Sequence, residues 1–184
     1  MSAAAAVATM LCLLTAAAAR ADEPSTREYR VKAAFIFHFL QFTDWPANAF
    51  AGEDAPIIVA IVGDDPFDGA LWQALNDKRV GRRAVLLRQF AAAPPPAELL
   101  GCHLLFVSQA MGNPMGNLLQ QVRGTPVLTV SDEGNFTEAG GVMRLLVEEN
   151  KVRFEVNVTA AQRQQLKMSA KLLKLARLYE EPAT

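Results

Sequence analysis

The sequence predicts an α/β fold with an open, mainly parallel sheet flanked by helices. Strand-like apolar runs alternate with helical periodicity, and the first run, residues 57–62, is continuously apolar, as in a strand buried on both faces. Strands joined by helices favour parallel pairing with right-handed crossovers. In addition, the pattern over residues 142–157 is typical of a β-hairpin, which would add an antiparallel edge to the sheet.

The hairpin is the part of the chain whose register the sequence predicts directly. Apolar and polar residues alternate along both arms, and a turn centred on Glu149-Asn150 aligns them. One face is then expected in the core and the other in solvent. The predicted apolar pairs are Met143 with Val156, Leu145 with Phe154 and Val147 with Val152, and the polar pairs are Arg144 with Glu155 and Glu148 with Lys151.

The first 21 residues have the composition of a secretory signal peptide, and residues 22–184 are predicted to form a single domain. The leader lacks acidic residues and ends at Ala19-Arg20-Ala21, an A-x-A-like cleavage site. An uncleaved anchor is the alternative, but the apolar run is shorter than the ~20 residues that cross a bilayer. We therefore expect export to the periplasm, cleavage near Ala21 and no direct membrane insertion of the mature protein.

The other elements follow in chain order. A polar, flexible segment is expected over residues 22–27, and then a helix over 28–42 that is apolar nearly all round. Such a helix either packs centrally or offers one side to a partner. After the strand over 57–62, Asp65 and Pro66 have the pattern of a helix N-cap and first turn. Further strands are predicted over 84–90, 103–107 and 126–130, helices through Leu100 and over 114–122, and two final helices capped by Thr159 and Ser169, the last carrying Leu172, Leu175, Ala176 and Tyr179.

Composition excludes several classes of function. A net charge of −1 gives no electrostatic reason to expect a nucleic-acid partner. His38, His103 and Cys102 show no metal-ligand spacing, so neither a metal nor a cofactor is predicted, and His38 is expected in the core. No nucleophile elbow is present, and no catalytic residue is predicted. Cys102 is expected to be buried and inert, the alternative being intermolecular pairing or redox sensing.

The loop after the first strand is the candidate small-ligand site. Asp64 and Asp65 lie where open α/β sheets bind ligands, although the glycine pattern of a dinucleotide site is missing. A helix cap is the better explanation of Asp65. A small-ligand-binding module that uses the loops after Val62, Val107 and Val130 is the alternative function, and a hydrolase dependent on Asp64 or Ser131 is the third hypothesis.

The segment around the hairpin is the candidate protein-binding surface. Phe136 lies in a loop bounded by glycines, Phe154 could share a cluster with it, and Glu148 stands at the hairpin tip. An aromatic anchor with a polar rim is typical of a specific interface. The alternative is that Phe136 and Phe154 only close the edge of the sheet.

Three stretches together resemble the YfiR family of periplasmic proteins. Residues 29–46 match the opening helix Y-x-V-K-A-A-F-x-x-x-F-x-x-F-x-x-W-P. Residues 134–157 contain the F, GG and R-F-E-x-N positions of its central signature, and residues 166–176 match its L-K-h-S-x-K-L-L-K-L-A tail, where h is apolar. With residues 63–67, the resemblance spans essentially the whole mature chain.

The resemblance implies a non-enzymatic repressor with a Rossmann-like α/β sandwich, often dimeric. It implies binding to the periplasmic sensor domain of an inner-membrane diguanylate cyclase, or of another sensor protein, which is held inactive. Release under envelope stress then raises cyclic di-GMP and favours biofilm formation. Some members carry a cysteine pair flanking the segment equivalent to residues 134–141, and this chain has none there, which argues against a redox switch through that disulfide.

Overall fold

An eight-stranded sheet lies at the centre of the molecule, and the computed structural model describes residues 24–108 and 114–181. The helices are α1 (Pro24–Phe42), α2 (Ala70–Leu75), α3 (Pro96–Leu100), α4 (Pro114–Gln121), α5 (Val158–Arg163) and α6 (Ala170–Leu173). The strands are β1 (Thr43–Asp44), β2 (Ile57–Val62), β3 (Arg79–Val80), β4 (Arg83–Phe90), β5 (Leu104–Val107), β6 (Leu128–Ser131), β7 (Met143–Glu148), β8 (Lys151–Asn157), β9 (Lys167–Met168) and β10 (Arg177–Tyr179).

The strand order confirms the predicted α/β class. The sheet runs β10-β8-β7-β6-β5-β2-β4-β3, and β1 pairs separately with β9. From β4 to β7 all neighbours are parallel, as expected when helices connect the strands. This arrangement fits the Rossmann-like description. The predicted signal peptide, residues 1–21, lies outside the described residues.

The sheet separates two hydrophobic cores. Successive side chains of a strand point to opposite faces, so Val59 and Ile61 pack with α1 and α2, whereas Ala60 and Val62 pack with α3 and α4. The first helix brings the fully buried Phe39 into the former core. Full burial of such a side chain contributes about 1.5–3 kcal/mol to folding.

The predicted hairpin register is confirmed at all five pairs. Met143 pairs with Val156, and Glu148 pairs with Lys151 at the far end. Glu149 and Asn150 form a two-residue turn with φ values of 49° and 59°, the left-handed geometry of a type I′ turn, without the glycine that usually accompanies it. Because the side-chain period of a strand is two, the alternating pattern excludes a one-residue slip, and the turn at Glu149-Asn150 sets the alignment.

Two expectations about the hairpin and one about the last helix are wrong. It does not form the edge of the sheet, because β10 pairs in parallel with the outer side of β8. The last predicted helix ends at Leu173, and Tyr179 lies in this strand instead. The backbone donors and acceptors of β8 need partners, and residues 177–179 supply them. The polar face is also not solvated throughout, since Glu155 and Asn157 are buried.

Several element boundaries differ from the predicted ones. The first helix begins at Pro24, inside the segment expected to be flexible. The second begins only at Ala70, after Gly69 with φ 79°, and Asp65 caps a turn rather than this helix. Asn157, not Thr159, caps α5, because its side-chain oxygen accepts the N–H of Ala160. Ser169 caps α6 as predicted.

His103 anchors the amino end of the sheet as a neutral imidazole. The N–H of Ile58 donates to its Nδ1 at 3.1 Å, so Nε2 carries the proton and donates to the carbonyl of Ala49 at 3.1 Å. Burial lowers the pKa of His103, which favours this uncharged form. Trp45 donates to the carbonyl of His103 at 3.2 Å, which gives the W-P pair after the first helix a structural role.

Candidate protein-binding groove

The outward side of α1 is apolar and only partly covered. Val31, Ala34, Phe35, His38 and Phe42 follow one another at helical spacing along this side. Val31 is 40% exposed. His38 is exposed beside Phe42, with ring centroids 6.3 Å apart, so the expectation of a core histidine is wrong. Of the two alternatives for this helix, the structure thus favours the one in which a side is offered to a partner.

A groove of about 400 Å³ runs along this side of the helix. Its other wall comes from α6 and the segment that follows, through Lys171, Leu172 and Leu175, and its floor includes Phe154. Leu175 is 75% exposed, which is unusual for a leucine beside other apolar residues. We call this feature the α1 groove. A contiguous apolar depression beside a helix is the geometry that accepts an amphipathic segment.

Positive charge surrounds one end of the α1 groove. A second depression of about 680 Å³ shares Val31 with it and is lined by Arg27, Lys151 and Arg153. Glu28 also lines this depression, and its carboxylate shares the Lys32 ammonium with Asp132. Three cationic residues against one acidic residue favour a partner with acidic residues beside its apolar anchor.

The structure does not bring the three predicted partner-binding residues together. Phe136 is 0% exposed and packs with α3 and α4, whereas Phe154 is 3% exposed and packs on the opposite face of the sheet, 5.2 Å from the Phe39 ring. The expectation that they share a cluster is wrong. Glu148 is exposed at the hairpin end and lies 3.3 Å from Arg177. Their roles in binding stay predictions.

The predicted ligand loop has an ordinary turn geometry. Asp65 accepts the N–H of Phe67 at 2.8 Å, and this bond fixes the turn that follows β2. Asp64 is exposed. The loop after Val107 falls partly in residues 109–113, outside the described residues. A ligand role for Asp64 and Asp65 stays a prediction.

A buried ion pair lies at the carboxyl end of the sheet and was not predicted from the sequence. Lys32 is 4% exposed, and its Nζ lies 2.6 Å from Asp132, the residue after β6. Tyr29 donates to the same carboxylate at 2.8 Å, and burial together with Asp132 raises the pKa of this tyrosine. These contacts attach α1 to the residue that follows β6. The Y-x-V-K spacing was the available signal, since it places Tyr29 and Lys32 on one side of a helix.

A second buried network explains the polar signature residues of the hairpin. Glu155 accepts the Thr137 hydroxyl at 2.5 Å and lies 3.4 Å from both Arg144 and Arg177. Asn157 donates to the carbonyl of Thr137 at 3.1 Å. The network holds the loop before the hairpin against β8. These contacts therefore stabilise the scaffold.

Cys102 is predicted to be unreactive in the folded protein. It is buried, its thiol donates to the carbonyl of Glu98 at 3.3 Å, and burial raises its pKa to about 11. Because the thiolate is the reactive species, a mature chain of residues 22–184 at pH 7 should react with a thiol reagent only as fast as it unfolds. The control is the same chain in urea, which should react at once. Rapid labelling of the native protein would contradict this prediction.

The described residues hold neither a metal-binding cluster nor a membrane-spanning helix. No group of three or more His, Cys, Asp or Glu side chains in residues 24–108 and 114–181 is arranged to hold a metal ion. In the same part of the chain, no helix combines the length and hydropathy that a membrane span requires.

In a Rossmann-like domain, an apolar groove with a cationic end is the kind of surface by which protein-binding modules hold an amphipathic segment. Comparison with known families is more specific. The YfiR/HmsC-like family model matches residues 29–177, and the chain belongs to this family. No curated protein matches the sequence. Membership indicates a periplasmic regulator of cyclic di-GMP signalling.

Proposed function

We propose that this protein represses an inner-membrane diguanylate cyclase by binding its periplasmic sensor domain. In this proposal the chain is exported, its signal peptide is cleaved near Ala21, and the folded domain lowers cyclic di-GMP and biofilm formation as long as it is bound. The α1 groove is the observation that carries the proposal. The family supports the signalling theme, and the groove supports recognition of another protein.

The groove supplies the two features that a specific interface needs. Its apolar length between Val31 and Leu175 can bury the anchor residues of a partner helix, and the charges of Arg27, Lys151 and Lys171 can orient it. Anchors in such a site dominate the binding energy, so one charge introduced at its centre should disrupt the complex.

One of the predicted partner-binding residues fits this surface. Phe154 forms part of the groove floor, whereas Glu148 lies on the opposite face of the hairpin, beside Arg177. The buried Phe136 would act only indirectly, by supporting the loop before the hairpin. Glu148→Ala therefore tests a separate binding role for the exposed hairpin end, and Phe136→Ala is not a useful binding variant because it would remove core packing worth about 3–5 kcal/mol. The homodimer that the family resemblance implies stays a prediction, which sedimentation of the mature chain would test.

The groove prediction is tested in cells that lack the protein. Loss of the repressor should raise the cellular level of cyclic di-GMP, and expression of the wild-type protein should return that level to its original low value. Ala34→Glu places a carboxylate on the exposed apolar side of α1 and should weaken binding by at least about tenfold, so that restoration fails. The matched control is Ala47→Glu, which alters an exposed alanine outside the groove. Both variants should show the wild-type melting temperature.

Two results would contradict the proposal at different levels. Unchanged cyclic di-GMP after deletion would reject the regulatory function itself. Full restoration by Ala34→Glu would reject the groove as the binding surface and leave the function in place. Crosslinking in the wild-type strain should recover a membrane protein with a periplasmic sensor and a cyclase domain, and Ala34→Glu should reduce its recovery.

A further inference from the structure

The outer strand of the sheet at the end opposite the hairpin has an open backbone edge. β3 covers only the start of β4, with the pairs Arg79–Ala84 and Val80–Arg83 and one further bond from the N–H of Val85 to the carbonyl of Lys78. Backbone groups of alternate residues point to the same side, so those of Leu87 and Gln89 point outward as well. Among the described residues no strand lies beyond them.

Large apolar side chains stand on both sides of this edge. Trp72 on α2 is 58% exposed, and Leu86 on β4 is 47% exposed. A cavity of about 190 Å³ lies between α2 and β4 and is lined by Trp72, Leu86 and Leu87, among others. An unpaired strand flanked by exposed apolar residues is a template for strand addition, and natural edges are usually protected against it.

The positive charge near this edge favours an added strand that carries acidic residues. Lys78, Arg79 and Arg88 are exposed, and with the exposed Asp77 next to Lys78 these four residues carry a net charge of +2. Antiparallel pairing of two copies of β4 would bring these cations toward one another, which disfavours a second copy of the chain. An extended segment with carboxylates would instead be attracted to them.

We propose that the open edge of β4 binds an extended, acidic segment of a partner protein, which adds to the sheet as a strand. Its backbone pairs with the outward N–H and C=O groups of Leu87 and Gln89, and its apolar residues contact Trp72 or Leu86. This site lies at the other end of the sheet from the α1 groove. It is thus independent of the proposed repressor function, and either can fail alone.

The probe is a capped heptapeptide in which glutamate and valine alternate, added to the isotope-labelled mature chain. Saturable binding is expected, with slower hydrogen exchange at the amides of Leu87 and Gln89. Gln89→Pro removes one outward donor and leaves the bonds to β2 intact, so it should weaken binding by about fivefold, as should Trp72→Ala. Leu178→Ala, which truncates a 53% exposed leucine at the opposite edge, should leave binding unchanged.

Several outcomes would overturn the proposal. They are no binding of the glutamate peptide at millimolar concentration, equal binding of a peptide with lysine in place of glutamate, and unchanged binding by both Gln89→Pro and Trp72→Ala. Protection of Leu87 and Gln89 that rises with protein concentration in the absence of peptide would assign the edge to a second copy, and would overturn the partner class.

Discussion

Gly141→Ala is expected to destabilise the protein by about 3 kcal/mol, because the added methyl group has no space. A Cβ atom at this position would lie 2.2 Å from Cε1 of Phe136, and the whole edge of that ring is within 2.7 Å. Phe136 cannot move away easily, since it is fully buried among the side chains of α3 and α4. Urea denaturation of the purified variant would measure the loss as a lower midpoint with an unchanged slope.

Gly134→Ala is the control within the same loop. A Cβ atom at Gly134 would meet nothing within 4 Å, so this variant should keep stability within about 0.5 kcal/mol of wild type. If Gly141→Ala and Gly134→Ala unfold at the same urea concentration, the prediction is contradicted, and close packing against Phe136 is not the reason for a glycine at position 141. The neighbouring Gly140 has a different requirement, since its φ of 96° is strained for any other residue.

Lys32→Met is expected to cost about 3–5 kcal/mol, because it removes the ammonium that lies 2.6 Å from the buried carboxylate of Asp132 and also contacts Glu28. The methionine side chain fills a similar volume, so the loss reports on charge rather than on a cavity. The bond from Tyr29 to Asp132 at 2.8 Å remains and limits the loss. Thermal and urea unfolding of the variant would measure the effect.

Arg27→Met tests whether loss of any positive charge on α1 is enough to destabilise the protein. Arg27 is exposed on α1, so its replacement should change stability by no more than about 0.5 kcal/mol. An equal loss in both variants would show that the net charge of the helix matters and that the Lys32–Asp132 pair does not. A stable Lys32→Met protein would show that the pair contributes little to the attachment of α1.

These predictions separate the scaffold from the binding surface. Lys32, Gly141 and Glu155 occupy motif positions, and all three contacts are internal. The groove residues Val31, His38 and Leu175 are exposed instead. Substitutions in the first group should therefore lower stability, and charged substitutions in the α1 groove should lower partner binding at unchanged stability. This difference allows a folding defect to be distinguished from a binding defect in cells.

The candidate site could be predicted only in part. The sequence showed that residues 28–42 are apolar nearly all round, and that such a helix needs a partner or a second buried side. The side of α1 that stays open depends on where α6 packs, and long-range contacts determine the position of α6. Phe136 was misplaced for the same kind of reason. An aromatic residue in a glycine-bounded loop has the same local pattern whether the loop folds inward or outward, and here Gly141 gives the ring space to lie inside.

By itself the sequence determined the local and periodic features of this protein. It determined the α/β class and the central strand over residues 57–62, because a strand buried on both faces is a continuous apolar run. It also determined the hairpin register, because burial of one strand face leaves a period of two. Only the tertiary structure decided the strand β10, the opposite placement of Phe136 and Phe154, and the pair between Lys32 and Asp132. That pair joins residues 100 positions apart, and no local pattern records which distant group a buried charge will meet.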